Sequence, residues 1–320
     1  MNPRDIVDPE LLPALDAWPP GARTLADLHA RRAKLPEMLL PPERYARPDI
    51  AMERRLVPGP MGAPEVPVYL YRPVAAAGPL PVYLHIHGGG YVFGNAEMCG
   101  PADVAIAAEL GCLVASVDYR LAPETVAPGA VEDCYAVLRW LHEKTGELGV
   151  DPHRIAIGGE SAGGGLAAAL ALLARDRAEF PICLQLLNSP MLDDRTVTAA
   201  DVGPHVGNFV WTQAENAFGW RSLLGCEPGA PGISPYCAPG RAEDLAGLPP
   251  AHVSVGALDL FRDETVRYAL RLLHAGVATD LHVYAGAYHG FERTPQARVV
   301  QAAEASRRAA LRKAFLGDLP

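Results

Sequence analysis

Strand-length apolar runs alternating with helix-length stretches constrain this chain more than any other feature. The runs fall at 66–72, 82–86, 112–117, 155–157, 182–187, 252–255 and 281–284. Between most of them lie stretches that can hold three or more helical turns, at 101–110, 130–144, 162–175 and 263–275, and 296–315 reads as a helix closing the fold. Run 66–72 alternates with a period of two, as a half-buried strand does, whereas the others are almost continuously apolar and suit strands covered on both faces. Strands joined by helices of this length imply right-handed βαβ crossovers and a mostly parallel sheet with helices on both faces. The 320 residues, 49% of them hydrophobic, can bury one large core, alone or with a small appendage.

Two segments break the rhythm. Residues 1 to about 48 read as helical pieces interrupted by prolines, with a weak apolar stripe at Leu25, Leu28, Ala30 and Leu35. Residues 191–247 hold Asp, Gly, Pro and the aromatics Phe209, Trp211, Phe218 and Trp220 but no clear strand, and an insertion of that length predicts a functional segment such as a lid.

Charge and cysteine usage narrow the classes further. A net charge of −9 repels a phosphate backbone and excludes nucleic acid as an expected partner. The start, acidic and broken by prolines, lacks the basic and apolar regions of a secretory signal, and no run reaches the roughly 18 apolar residues of a membrane span. The six cysteines are dispersed, with several inside apolar runs, which predicts free thiols and a cytoplasmic setting.

The chemistry is concentrated in a few loops. Gly159-Glu160-Ser161-Ala162-Gly163 follows one apolar run and opens a helix-length stretch. G-x-S-x-G at a strand-to-helix turn places the serine on a tight bend, and the new helix turns its positive end toward charge that develops there. His87-Gly88-Gly89-Gly90 directly follows another apolar run. Acyl transfer passes through an oxyanion that preorganised N–H groups must meet, so Gly88 and Gly89 are the expected donors, with Ala162 as the third. His87 is expected to shape the loop.

A serine hydroxyl needs a base, and the base an orienting carboxylate. The chain order for a serine on such a turn is Ser, then Asp or Glu, then His, the latter two after late strands. Asp259 and His289 stand at those places. His252 and His282 lie inside apolar runs, and His205 is a weaker rival. Asp263 and Glu264 are rival acids, but they open a helix and read as complements to its dipole. Metal catalysis is not expected: His85 and His87 share a strand, yet no carboxylate or cysteine stands at ligand spacing in the sequence near them. No phosphate loop is present, and the glycines at 158, 159 and 163 lack the ribose-binding acid of a dinucleotide site, Asn188 standing there instead.

Taken together, His87-Gly-Gly-Gly90, Asp118-Tyr-Arg-Leu-Ala-Pro-Glu124, Gly159-Glu-Ser-Ala-Gly163, Asp259-Leu-Phe-Arg-Asp-Glu264 and His289-Gly-Phe291 resemble the hormone-sensitive-lipase-like bacterial esterases of the α/β-hydrolase fold, in order and spacing, over roughly residues 50–320. The resemblance implies hydrolysis of carboxylic esters without a cofactor. It also implies a cap formed by residues 1–48 together with 191–247, on a catalytic domain of 49–320. Expected substrates are small short- to medium-chain acyl esters cleaved through an acyl-enzyme, and a homodimer is compatible with the reading. Tyr91, Ser189, Phe209, Trp211 and Trp220 are expected to wall the pocket.

The chain departs from the family pattern in three places: Thr125-Val-Ala-Pro-Gly-Ala130 after the Ala-Pro-Glu element, Glu160 before the nucleophile, and Asn188-Ser189-Pro190 where the family often has Ile-Tyr-Pro. Serine in place of a bulky aromatic predicts room for bulkier acyl groups. Two other readings belong to the same fold, an amidase or peptidase and a non-catalytic small-molecule receptor. The receptors lose a member of the Ser-His-Asp set, and here Ser161, Asp259 and His289 are all present.

Overall fold

The computed structural model describes residues 2–17, 21–199 and 203–317. Residues 18–20 of the expected N-terminal cap segment and 200–202 of the insertion lie outside them. Eight strands form one sheet: β1 (Ile50–Val57), β2 (Val66–Pro73), β3 (Leu80–Ile86), β4 (Leu113–Val117), β5 (Val150–Glu160), β6 (Leu184–Asn188), β7 (Ala251–Gly256) and β8 (Thr279–Tyr284). Their order is β1-β2-β4-β3-β5-β6-β7-β8. β2 runs antiparallel to both β1 and β4, and every other pairing is parallel. This is the mostly parallel, two-faced sheet that the apolar rhythm implies.

Alternation along the central strands sorts the core into two layers. Val82, Leu84 and Ile86 of β3, Ala115 and Val117 of β4, and Ile155 and Ile157 of β5 face one way. They pack under α3 (Gly129–Glu143), α4 (Ala162–Arg177) and α6 (Arg262–His274). Tyr83, Val114, Ala156, Leu184 and Leu186 face the other way, under α2 (Gly100–Leu110) and α7 (Arg298–Leu316). α4 is buried on every side from Ala162 to Ala174, which is why its sequence is apolar all round rather than striped.

β1 is absent from the apolar rhythm. Its sequence, Ile-Ala-Met-Glu-Arg-Arg-Leu-Val, buries only its two ends, and its charged middle marks an edge strand that discourages further pairing. At the other edge β8 is only partly buried.

The N-terminal pieces lie over the loops at the C-terminal edge of the sheet. Val7 and Leu11 pack with Leu258, Tyr288 and Phe291, and the Tyr288 hydroxyl donates to the Leu11 carbonyl at 3.0 Å. α1 (Leu25–Ala33) begins with a capping box in which Thr24 and Asp27 satisfy each other's backbone N–H groups. Arg32 of α1 donates to the carbonyls of Val92 and Ala122 and pairs with Glu124 at 2.7 Å. Arg23 reaches Glu215 of α5 (Gln213–Leu224) at 3.1 Å, joining the N-terminal segment to the insertion. All six cysteines are unpaired. Among the described residues no helix is long and apolar enough to cross a membrane.

Candidate active site

Ser161 occupies the turn between β5 and α4 with φ 57° and ψ −118°, a left-handed-side conformation that an L-residue holds only under constraint. The constraint comes from close packing. A Cβ on Gly159 would stand 2.1 Å from the Ile86 carbonyl oxygen, and one on Gly163 only 1.9 Å from the same atom. Glycine at both positions therefore lets α4 start hard against the end of β3. The Ser161 N–H donates to the Asn188 carbonyl at 2.9 Å, and its own carbonyl receives the N–H groups of Gly165 and Met191, both at 3.0 Å. The strained residue is held from three directions.

His289 and Asp259 arrive from the loops after β8 and β7. His289 Nε2 lies 3.0 Å from Ser161 Oγ, and His289 Nδ1 lies 2.8 Å from Asp259 Oδ2. A carboxylate only accepts, so Nδ1 carries the hydrogen and Nε2 is left to take one from the serine. Asp259 is fully buried, and its other oxygen accepts the Phe261 N–H at 2.9 Å, which fixes the carboxylate. Burial works against the His289 imidazolium. The charge and hydrogen bond of Asp259 outweigh it and hold the pKa of His289 above the ordinary imidazole value. His205, His252 and His282 do not join this set: His252 stacks on His282, and both bond the hydroxyl of Ser306.

The His87–Gly90 loop closes on the serine from the β3 side. A Cβ on Gly88 would approach the Glu160 carbonyl oxygen to 2.8 Å and Ser161 Cβ to 3.4 Å, so this stretch of backbone lies against Ser161. Gly89 has φ +130°, and a Cβ there would meet the Phe93 carbonyl at 1.8 Å. Among the described residues the N–H groups of Gly88, Gly89 and Ala162 make no hydrogen bond to another protein group. His87 braces the loop: Nδ1–H donates to the Gly88 carbonyl at 2.8 Å, and the ring stacks on Tyr119 at 4.2 Å. The Tyr119 hydroxyl returns to the His87 carbonyl at 2.9 Å, which gives the Asp118–Glu124 element a physical task. Burial lowers the His87 pKa to about 4, so it stays neutral as a strut.

These groups open onto a cavity of about 260 Å³. Of the residues expected in its wall, Ser189 and Trp211 line it. Tyr91 and Trp220 instead pack on each other at 5.4 Å within the core, where the Tyr91 hydroxyl donates to the Met191 carbonyl. Phe209 lies edge-on to Tyr288 under the N-terminal segment. Aromatics in an insertion carry no sign of which way they face, which is why the sequence could not separate wall from core. Trp211 is the exception that reaches the site: its ring stands 6.2 Å from His289, and its tip would clash with a Cβ on Gly90.

Several lining residues carry no motif. Ala22 and Arg31 come from the N-terminal segment, and Asn188, Glu292 and Arg293 from the sheet edge. Asn188 accepts from the Ser254 hydroxyl at 2.9 Å and donates to Glu292 at 2.8 Å. The fold also supplies what local spacing hid at His85: its Nδ1 lies 2.6 Å from Asp103 and its Nε2 3.0 Å from Glu160, and the Cys99 sulfur lies within 4.8 Å of the His85 and Asp103 ligand atoms. Both ring nitrogens of His85 meet carboxylates, and neither is left to coordinate a metal without giving up an ion pair. Glu264 likewise differs from its expected role at a helix start. It is buried and accepts the N–H groups of Leu192 and Asp193, anchoring the beginning of the insertion, while Asp263 pairs with Arg262 at the surface.

Comparison with known proteins agrees with this architecture. A family profile described as alpha/beta hydrolase fold matches residues 83–293. Carboxylesterase NlhH of Mycobacterium tuberculosis is 36% identical over 316 residues, spanning 98% of this chain and 97% of that protein. Esterase LipI of the same species is 34% identical, over 89% of this chain and 88% of LipI. Among solved structures, a bacterial heroin esterase superposes with a TM-score of 0.91 at 42% identity, covering 97% of this chain and 98% of that one. The esterase LipW of Mycobacterium marinum gives 0.86 at 35% identity, covering 98% and 97%. With the sheet order and the serine turn already on the same plan, the chain belongs to the hormone-sensitive-lipase-like carboxylic ester hydrolases of the α/β-hydrolase fold.

Proposed function

We propose that the protein is a carboxylesterase for small esters of short to medium acyl chain, acting through Ser161, His289 and Asp259 and a covalent acyl-enzyme. The observation that carries this reading is the continuous relay from Asp259 through His289 to Ser161, at 2.8 and 3.0 Å, beneath a serine held in a strained turn. His289 Nε2 takes the hydroxyl proton as Ser161 Oγ attacks the ester carbonyl. The N–H groups of Gly88, Gly89 and Ala162 receive the oxyanion; losing one such donor costs about 3 kcal/mol of transition-state stabilisation. His289 then protonates the leaving alcohol, and water cleaves the acyl-enzyme by the same route in reverse.

The chain-length preference follows from size. A cavity of about 260 Å³ is small beside the roughly 300–1,000 Å³ usual for drug-sized ligands, so a long acyl chain would leave much of its surface outside. Residues 1–48 and 191–247 act as the cap over a catalytic domain of 49–320: Ala22 and Arg31 from the first, and Val210 and Trp211 from the second, line the pocket.

Initial rates against p-nitrophenyl esters of two to sixteen acyl carbons, with Ser161→Ala beside the parent, test the reading. The expected result is a maximum at short chains that vanishes in the variant. A folded parent without activity, or activity that survives in the variant, would overturn it.

A further inference from the structure

Two guanidinium groups, Arg31 from α1 and Arg293 from the turn after His289, line the pocket that holds Ser161. The Arg31 guanidinium lies over the Phe93 ring at 4.6 Å, and its Nε is buried without a hydrogen-bond partner among the described residues. Its chain neighbour Arg32 behaves in the opposite way, spending its donors on two carbonyls and Glu124. Burial lowers the pKa of Arg31, and repulsion from Arg293 lowers it further, with Glu215 acting in the other direction. A guanidinium in a partly dry cleft, with an unused donor and a second guanidinium near it, favours a ligand that brings an anionic acceptor.

Among the described residues no carboxylate forms an ion pair with Arg31, and the acids in and beside the pocket have other partners. Glu160 is held by His85 at 3.0 Å, and the second ring nitrogen of His85 meets Asp103 at 2.6 Å. Glu292 accepts from Asn188, and burial pushes its carboxyl toward the neutral form although Arg307 opposes this. Glu215 is committed to Arg23 and to the Thr212 N–H at 2.9 Å. An uncharged ester offers the buried donor of Arg31 a carbonyl oxygen but no charge, and the charge-assisted bond to a carboxylate is the stronger of the two.

We propose that the substrates of this pocket are esters carrying a carboxylate, which Arg31, with Arg293 beside it, receives while Ser161 attacks the ester carbonyl. The inference rests on the esterase reading above and adds the substrate class to it. A charge-assisted pair with a guanidinium gives selectivity for the anionic member of an otherwise matched pair of substrates, and the selectivity weakens with salt.

The test uses two matched pairs, one with the charge on the acyl side and one with it on the alcohol side. The first is mono-p-nitrophenyl adipate against its methyl-capped diester; the second is 4-acetoxybenzoate against its methyl ester, scored for acetate release. The quantity read is the ratio of kcat/KM, charged over neutral, in the parent, Arg31→Gln, Arg31→Glu and Arg293→Gln. Because both members of a pair meet the same preparation, a partly misfolded variant leaves the ratio intact. The expected result is a parent ratio of about ten in at least one pair, a fall of about tenfold in Arg31→Gln and a larger fall in Arg31→Glu, with the parent ratio declining as sodium chloride is added. A parent ratio at or below one in both pairs, or a ratio that none of the variants changes, overturns the inference while brisk hydrolysis of the neutral esters leaves the esterase reading standing. A folded parent that hydrolyses neither member of either pair overturns both.

Discussion

A serine hydroxyl at neutral pH is a weak nucleophile, and what distinguishes Ser161 from the chain's other serines is a strained turn together with a His289 nitrogen 3.0 Å away on a ring that Asp259 holds. Asp259 fixes which nitrogen that is. Replacing it by Asn removes the charge while keeping the shape, so kcat should fall by about four orders of magnitude. The pH profile gives an independent check. Attack requires neutral His289, whose pKa stands above the usual imidazole value because Asp259 outweighs the effect of burial. The acid limb of kcat/KM in the parent should therefore turn at a pH above the ordinary imidazole pKa of about 6.5, with activity lost as pH falls through it. In Asp259→Asn the residual activity should show that limb at lower pH; a limb that stays in place would remove Asp259 from the account. Ser189 offers a second residue-scale prediction. It lines the pocket with φ 43° and a buried hydroxyl that no protein group bonds among the described residues. Ser189→Tyr should cut the rate for branched acyl esters more than for acetyl esters, and equal loss on both would place the residue outside acyl selection.

At the scale of elements, the turn from β5 to α4 depends on the absence of side chains at two places. Gly163→Ala would drive a methyl group into the Ile86 carbonyl and should lower unfolding stability by about 2 kcal/mol or more, read as a reduced denaturant midpoint, together with lost activity. A variant as stable as the parent would mean that α4 can back away from β3 without cost. The turn was legible in the sequence because its chemistry is local: Gly159, Ser161 and Gly163 stand within five residues, between a strand-length run and a helix-length stretch. β2 to β8 were legible for the same reason. β1 was not, because its middle is charged and an edge strand needs no apolar centre. The cluster of His85, Asp103 and Glu160 was out of reach because its members are brought together only when β3, α2 and the end of β5 pack. Arg31 stands in an ordinary polar helix sequence, and only the docking of α1 over the pocket gives it a role.

The whole molecule joins one eight-stranded sheet, with helices on both faces, to less regular N-terminal and insertion segments. The sheet carries Ser161, Asp259 and His289 on loops at one edge; the N-terminal segment packs on those loops through Val7 and Leu11 and pairs with Glu124 through Arg32, while Arg23 ties it to Glu215 of the insertion. Deleting residues 1–20 should uncover Leu258, Tyr288 and Phe291, lower the melting temperature and reduce kcat/KM for small esters while the sheet stays folded, as far-ultraviolet circular dichroism would report. Undiminished activity in the shortened chain would mean that this part of the N-terminal segment does not help form the site.

Covalent trapping bears most directly on the central claim, that Ser161 is the nucleophile. The protein would be treated with p-nitrophenyl diethyl phosphate, with loss of esterase activity and the modified peptide followed together by mass spectrometry. The account predicts one diethylphosphoryl group per chain, carried by Ser161, appearing in step with inactivation. Inactivation with Ser161 unmodified, or full modification of Ser161 with activity retained, would contradict it.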